Sequence, residues 1–162
     1  MSEEKAAADA PEKQIVIQKL YVKDASFEAP STPEVYGKEW RPEINLNLQT
    51  KNKLVNENLR EVVLSVTAEA KLGEQTAFVV EVHQAGLFLI AGFTEQENQQ
   101  LIGAYCPNML FPFAREAITD LVGKGGFPGL LLQPVNFEAL FVQQMEEMAK
   151  AKAESAATSD KH

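Results

Sequence analysis

Between Leu59 and Phe93 the chain alternates apolar and polar side chains with a period of two. Val62, Leu64, Val66, Ala68, Ala70 and Leu72 oppose Glu61, Ser65, Thr67, Glu69 and Lys71, which predicts a strand with one face on a core. Gly73-Glu74-Gln75 predicts a tight hairpin turn. Thr76 to Phe93 then reads as a long returning strand with a bulge at Ala85-Gly86. Its second half, Leu87 to Ala91, is apolar on both sides. Cover is therefore expected on both: a helix on one side and a second subunit on the other. Upstream, Ile44, Leu46 and Leu48 alternate with Asn45, Asn47 and Gln49, which predicts a half-buried strand over Glu43 to Gln49. Thr50 to Asn58 is polar and reads as a turn. Gln14 to Ala29 reads as extended, with Asp24, Ser26 and Glu28 on one face and Phe27 on the other. Pro30, Pro33 and Pro42 bracket a long crossover loop that holds Trp40, the sole tryptophan.

Downstream the period changes to that of a helix. Thr94-Glu95-Gln96-Glu97 predicts a helix start, and Cys106-Pro107 and Pro112 are expected to kink or restart the helix. Phe113, Ala114, Ala117, Ile118, Leu121 and Val122 form a wide apolar stripe, and Lys124-Gly125-Gly126 ends it. Phe127 to Leu132 is a connector rich in large apolar groups, which suggests a groove or an interface, because loops normally run over the surface. Asn136 is a candidate N-cap for a second helix with Phe137, Leu140, Phe141, Met145 and Met148 on one face. That helix is expected to fray after Met148. Strands first and helices afterwards make an α+β fold: a four-stranded antiparallel sheet with two helices packed on it. The expected organisation is an N-terminal disordered arm over 1–13, a single domain over 14–150 and a flexible tail over 151–162.

The net charge is −8, which argues against nucleic acid and anionic membranes as partners. With one cysteine, Cys106, the chain has no internal disulfide, and a reducing compartment is expected. The start, MSEEKAAADAPEKQ, is charged and offers no apolar run for a signal peptide, so the expectation is a soluble cytoplasmic protein. No catalytic constellation assembles. His83 and His162 have no ligand at metal spacing, and Cys106 stands beside a proline without a base, as a buried thiol or, less simply, a nucleophile. Lys124-Gly125-Gly126 is not a phosphate loop. No catalytic residue, no metal and no cofactor are expected, and the chain is not read as an enzyme.

Four stretches resemble one family. Lys23-Asp24-Ala25-Ser26-Phe27-Glu28-Ala29-Pro30 resembles the first-strand motif of the SecB protein-export chaperones. Leu72 to Phe78 resembles their central hairpin, Gly103 to Glu116 their first helix, and Pro134 to Phe141 the start of their second. The resemblance runs in order from Ile15 to Met148. It implies a SecB-like domain that assembles as a homotetramer, a dimer of dimers. It implies an ATP-independent holdase that binds unfolded precursor proteins, keeps them translocation-competent and delivers them to the SecA motor of the Sec translocase.

The resemblance also implies residue roles. Asp24, Glu28, Val79 and Glu81 match the positions that contact SecA, whose zinc-bearing C-terminal segment is the implied partner. Trp40, Ile44, Leu46, Leu48, Leu130, Leu132, Phe137 and Leu140 are either lining of a client groove or ordinary core. Leu101, Ile102 and Gly103 are candidates for contact between dimers, or for packing within the chain. A second reading stays open: a non-enzymatic adaptor that binds one folded partner through an acidic sheet surface.

Overall fold

The computed structural model describes residues 12–159. The expected N-terminal arm and the last three residues of the tail lie largely or wholly outside them. Four antiparallel strands, β1 (Gln14–Glu28), β2 (Glu43–Asn56), β3 (Leu59–Leu72) and β4 (Gln75–Ala91), form one sheet in the order β1-β4-β3-β2. The helices follow: α1 (Glu95–Gln100), a π-helical turn over Leu101–Tyr105, α2 (Cys106–Lys124) and α3 (Phe137–Ser159). The α+β architecture is the one expected.

The alternation in β3 and β4 decides which face is covered. Val62, Leu64 and Val66 of β3 and Phe78, Val80, Val82 and Phe88 of β4 are fully buried. Leu110, Ala114, Ile118 and Val122 of α2 pack down on them from one side. The stripe read from the sequence is thus split. Ala114, Ile118 and Val122 face the sheet, while Phe113 is 47% exposed. Gly73, at φ +65°, turns β3 into β4, and Gly126, at φ +79°, turns the chain away from α2. Both lie where a side chain would be strained.

Three expectations need correction. The polar run after Gln49 is strand: Lys51, Asn52 and Lys53 pair with Val63, Val62 and Glu61, and only Glu57 and Asn58 turn. These are poor strand formers, but the ladder offered by the apolar β3 overrides their preference. Second, Ala85-Gly86 is not a bulge. Both residues pair in register with β1 and with β3. The register shifts fall instead at Gln18 and Lys23 of β1 and near Ala77 of β4. Gly86 is needed for closeness, since a Cβ there would lie 2.7 Å from Phe88 Cε2 and 3.1 Å from Leu110 Cδ2. Third, α3 does not fray at Met148; it continues to Ser159, through Ala, Lys and Glu, which favour helix.

The helix entry is built from its sequence signals. Thr94 and Glu97 form a reciprocal capping box, with Glu97 N–H donating to Thr94 Oγ1 at 3.2 Å and Thr94 N–H to Glu97 Oε1 at 3.1 Å. Pro107 has no N–H to give, and the turn before it widens: Cys106 N–H reaches back to Leu101 O. Pro112, by contrast, sits inside α2 without ending it. Asn136 caps α3 as expected, accepting from Ala139 N–H at 3.0 Å.

Candidate functional site

Two surfaces stand out, one on each face of the sheet. The first follows from where α2 lies. It packs chiefly on β4 and β3, so the matching face of β2 is left open. Ile44, Leu46 and Leu48 oppose the buried Ala70, Ala68 and Val66 across the ladder, yet Leu46 is 42% exposed. β2 is also an edge strand. Its outer N–H and C=O groups therefore lie beside an open apolar floor.

Both ends of this floor are defined. At one end Trp40 stacks near Phe78, with centroids 6.2 Å apart, and meets Phe127 of the connector at 5.4 Å. Tyr36 holds the crossover loop to the end of α2 by donating to Gly125 O at 2.7 Å. Thr119 Oγ1 donates to Leu130 O at 2.8 Å and ties the connector to α2. At the other end a hollow of about 490 Å3 is lined by Thr50, Asn52, Ile102, Gly103, Phe141, Met145 and Met148, among others.

The sequence-predicted groove residues divide between surface and core. Trp40, Ile44, Leu48 and Leu130 are half-buried against the core, while Leu46 and Leu140 are exposed. Of the two alternatives, Leu132 and Phe137 take the core: each is 5% exposed, and Phe137 meets Phe111 edge-on at 5.7 Å. Sequence reading missed Thr50, Asn52, Met145 and Met148. The misread second half of β2 hid the first two. The methionines carried a signal, since Met is adaptable and suits varied apolar ligands. Of the candidate assembly residues, Leu101 and Ile102 are half-buried against the core. Gly103 receives the Phe141 ring of the same chain; a Cβ there would lie 2.7 Å from Phe141 Cε2.

The second surface is the opposite face of the sheet. Register places Asp24 opposite His83, Ser26 opposite Glu81 and Glu28 opposite Val79. The four residues singled out for partner contact therefore share three adjacent rungs of one face. Asp24 and Glu28 are exposed, and Val79 and Glu81 half-buried. His83 links this group to the sheet, with Nε2 2.9 Å from Glu81 Oε1 and Nδ1 3.1 Å from Ser65 Oγ. Further along the same face Glu61 is buried, accepting from Lys23 Nζ at 2.7 Å and from the Tyr21 hydroxyl. The lysine hydrogen bond, then the tyrosine one, hold the Glu61 carboxyl below its usual range. Burial first, and the Glu61 carboxylate second, push the Tyr21 hydroxyl up to about 12. Cys106 is fully buried, and burial pushes its thiol up to about 12, which fits the buried-thiol alternative.

A family model described as preprotein translocase subunit SecB matches residues 8–148. A protein-export protein SecB from Nitrosococcus oceani is 58% identical, over 86% of this chain and 87% of its own. Another, from Methylococcus capsulatus, is 54% identical over 96% of this chain and 98% of its own. This chain belongs to the SecB family. Among solved structures, a SecB-like chaperone from Mycobacterium tuberculosis, in complex with an antitoxin peptide, superposes with a TM-score of 0.63 at 17% identity. The match covers 82% of this chain and 94% of that one. At that identity the likeness speaks for the fold alone. Among the described residues no helix of this SecB-family chain is long and apolar enough to cross a membrane.

Proposed function

We propose that this chain is an export chaperone that binds unfolded precursor proteins and keeps them competent for translocation. The observation that carries this is the open apolar face of β2 beside its own unpaired edge, in a chain whose relatives are protein-export SecB proteins. An extended client gains affinity by burying apolar side chains on Ile44, Leu46 and Leu48, at roughly 25 cal/mol per Å2 before entropy costs. Main-chain pairing with the β2 edge adds affinity that ignores client sequence. Folded proteins hide both kinds of group. That favours a holdase over an adaptor for one folded partner.

Four finer statements belong to the same reading. The acidic rungs of Asp24, Glu28 and Glu81, with Val79 beside them, receive a basic segment of SecA through charge attraction that salt screens. The working assembly is a tetramer, a dimer of dimers. The exposed Phe113, on the side of α2 turned from the sheet, supports burial against another copy, with Leu101, Ile102 and Gly103 near that contact. The chain works in the cytoplasm. It acts by binding, without turnover and without a cofactor of its own.

The test is solution mass by chromatography with light scattering, for the chain alone, with a precursor held unfolded, and with that precursor folded. The expected result is a tetramer that shifts only with the unfolded chain. Binding to the folded form alone would return the adaptor reading. Reversing Asp24 and Glu28 to lysine should weaken SecA binding at low salt by tenfold or more and leave client holding intact.

A further inference from the structure

The acidic rungs cover only half of their face. The bulge at Lys23 divides it. Across the bulge Val22 pairs with Gln84 and Asp24 with His83, and the extra residue sends the Lys23 ammonium to Glu61 while Asp24 stays with His83. On one side of this boundary lie Asp24, Glu28 and Glu81. On the other, Lys51 and Lys53 of β2 stand opposite Val63 and Glu61 of β3. A hollow of about 310 Å3 opens there, lined by Lys23, Lys51, Lys53, Glu61, Ser65 and His83 among others. Among the described residues the only carboxylate lining it is Glu61, which is buried and already holds Lys23 and Tyr21. Among the described residues no carboxylate lies within 4.0 Å of the Lys51 or Lys53 ammonium, although Lys53 is near enough to Glu61 to help hold its carboxyl low. In a chain of net charge −8, this is a local cationic site on the same face as an anionic one.

We propose that this face docks a bipolar segment. A partner peptide that sets its basic residues on Asp24, Glu28 and Glu81 sets carboxylates into the hollow between Lys23, Lys51 and Lys53. The proposal rests on the acidic rungs being a partner site, and it adds the second half of that partner's chemistry. The spacing follows from the ladder. Glu81 and the Lys51 and Lys53 rungs are four to six residues apart along β3, since Thr67 pairs with Glu81, Val63 with Lys51 and Glu61 with Lys53. At about 3.3 Å per residue that is roughly 13 to 20 Å along the strands, and β4 and β2 lie two strand spacings, about 10 Å, apart across the sheet. An extended peptide covers the resulting diagonal of roughly 16 to 22 Å in about five to seven residues. Edge strands also use lysines merely to repel other edges. That bland role predicts no effect on a peptide bound to the face.

The test uses the full chain and three synthetic peptides in titration calorimetry at low salt. One carries a Lys/Arg run alone. The other two add a Glu-Glu pair five residues from the run, on its N-terminal or its C-terminal side. Two exposed ion pairs together give about fivefold. One of the extended peptides should therefore bind about fivefold tighter than the run alone. That gain should vanish in the Lys51→Gln/Lys53→Gln variant, whose affinity for the basic run should not fall. Circular dichroism confirms the fold of this variant, and a titration at high salt should erase the gain in the wild-type chain. No gain with either peptide, or a gain that survives the lysine changes, overturns the proposal alone. Failure of the basic run to bind, or indifference to Asp24→Lys/Glu28→Lys, overturns the acidic-face reading and the proposal with it.

Discussion

Replacing Gly103 with alanine asks what holds α3 to the rest of the chain. The added methyl would lie 2.7 Å from Phe141 Cε2 and closer still to Cδ2. Overpacking of this kind costs about 1–3 kcal/mol when nothing can move. Here something can. Phe141 is half-buried, and nearly all of α3 beyond it is exposed, so the cheaper relief is to push the ring out. A half-buried phenylalanine contributes about 1–1.5 kcal/mol, and that caps the local loss. Alanine also favours helix over glycine by about 1 kcal/mol, which offsets most of the global change. The expected outcome is a melting temperature nearly unchanged and an α3 that opens about tenfold more often. Hydrogen exchange reads this directly: amides of Phe141 to Met148 should exchange about tenfold faster, while those of β3 and β4 stay put. Phe141→Leu should restore the slow rate in the double variant, because the smaller side chain makes room. The reasoning fails if α3 exchange is unchanged. If, in addition, the solution mass of Gly103→Ala drops, Gly103 meets another copy and not Phe141.

The remaining predictions address groove, charge and thiol. Leu46→Glu should lower affinity for an unfolded precursor by about tenfold, the worth of one partly buried leucine, measured by fluorescence titration; its stability should shift little, since a carboxylate at a position 42% exposed stays hydrated. Glu61→Gln should destabilise the fold at pH 7 by about 1–2 kcal/mol in urea melts, given one charged hydrogen-bond network with a part-exposed lysine. Because the folded carboxyl titrates below its ordinary value of 4.5, its contribution is complete above that value and is lost as pH falls through the lower folded one. Stability of the wild-type chain should therefore decline in that acid window, and Glu61→Gln should flatten the decline. Cys106 should resist a thiol reagent at pH 8 in the folded chain and react at once in denaturant; rapid labelling of the native protein would contradict its burial.

The strands with strict alternation were legible because one face of each is buried. Val62 to Leu72 kept its period because its even positions from Val62 to Ala70 are fully buried in the core with Phe78, Val80, Val82 and α2. The second half of β2 was not legible. Lys51, Asn52 and Lys53 have neither a buried face nor strand preference, and only pairing with β3 makes them extended. The bulges were missed for a related reason. Glycine at position 86 signals either a bulge or a close approach, and only the position of Leu110 distinguishes them. Gln18 and Lys23, which do bulge, carry no mark. Site residues followed the same rule. Asp24 and Glu28 could be placed on one face by period alone, but bringing Glu81 and Val79 beside them needed the long-range register. Leu132 and Phe137 stood open between groove lining and core, because the resemblance alone pointed to a groove there, and their burial depends on how the connector docks.

Strand β2 is where these threads meet. Its even-numbered side chains, Ile44, Leu46 and Leu48, lie on the covered side of the sheet in a part that α2 leaves bare. Its odd-numbered ones, among them Lys51 and Lys53, belong to the charged face. Because side chains alternate across a strand, the client proposed on one side and the partner proposed on the other would meet different rows of side chains. A one-residue slip of β2 would exchange the faces, bringing Asn45 and Asn47 over the apolar floor and turning Ile44, Leu46 and Leu48 to the charged side. The two-residue turn at Glu57-Asn58 and the register shift near Val55 pin the pairing against such a slip. The polar stretch that looked like mere turn is therefore what keeps the apolar and the charged faces of β2 distinct.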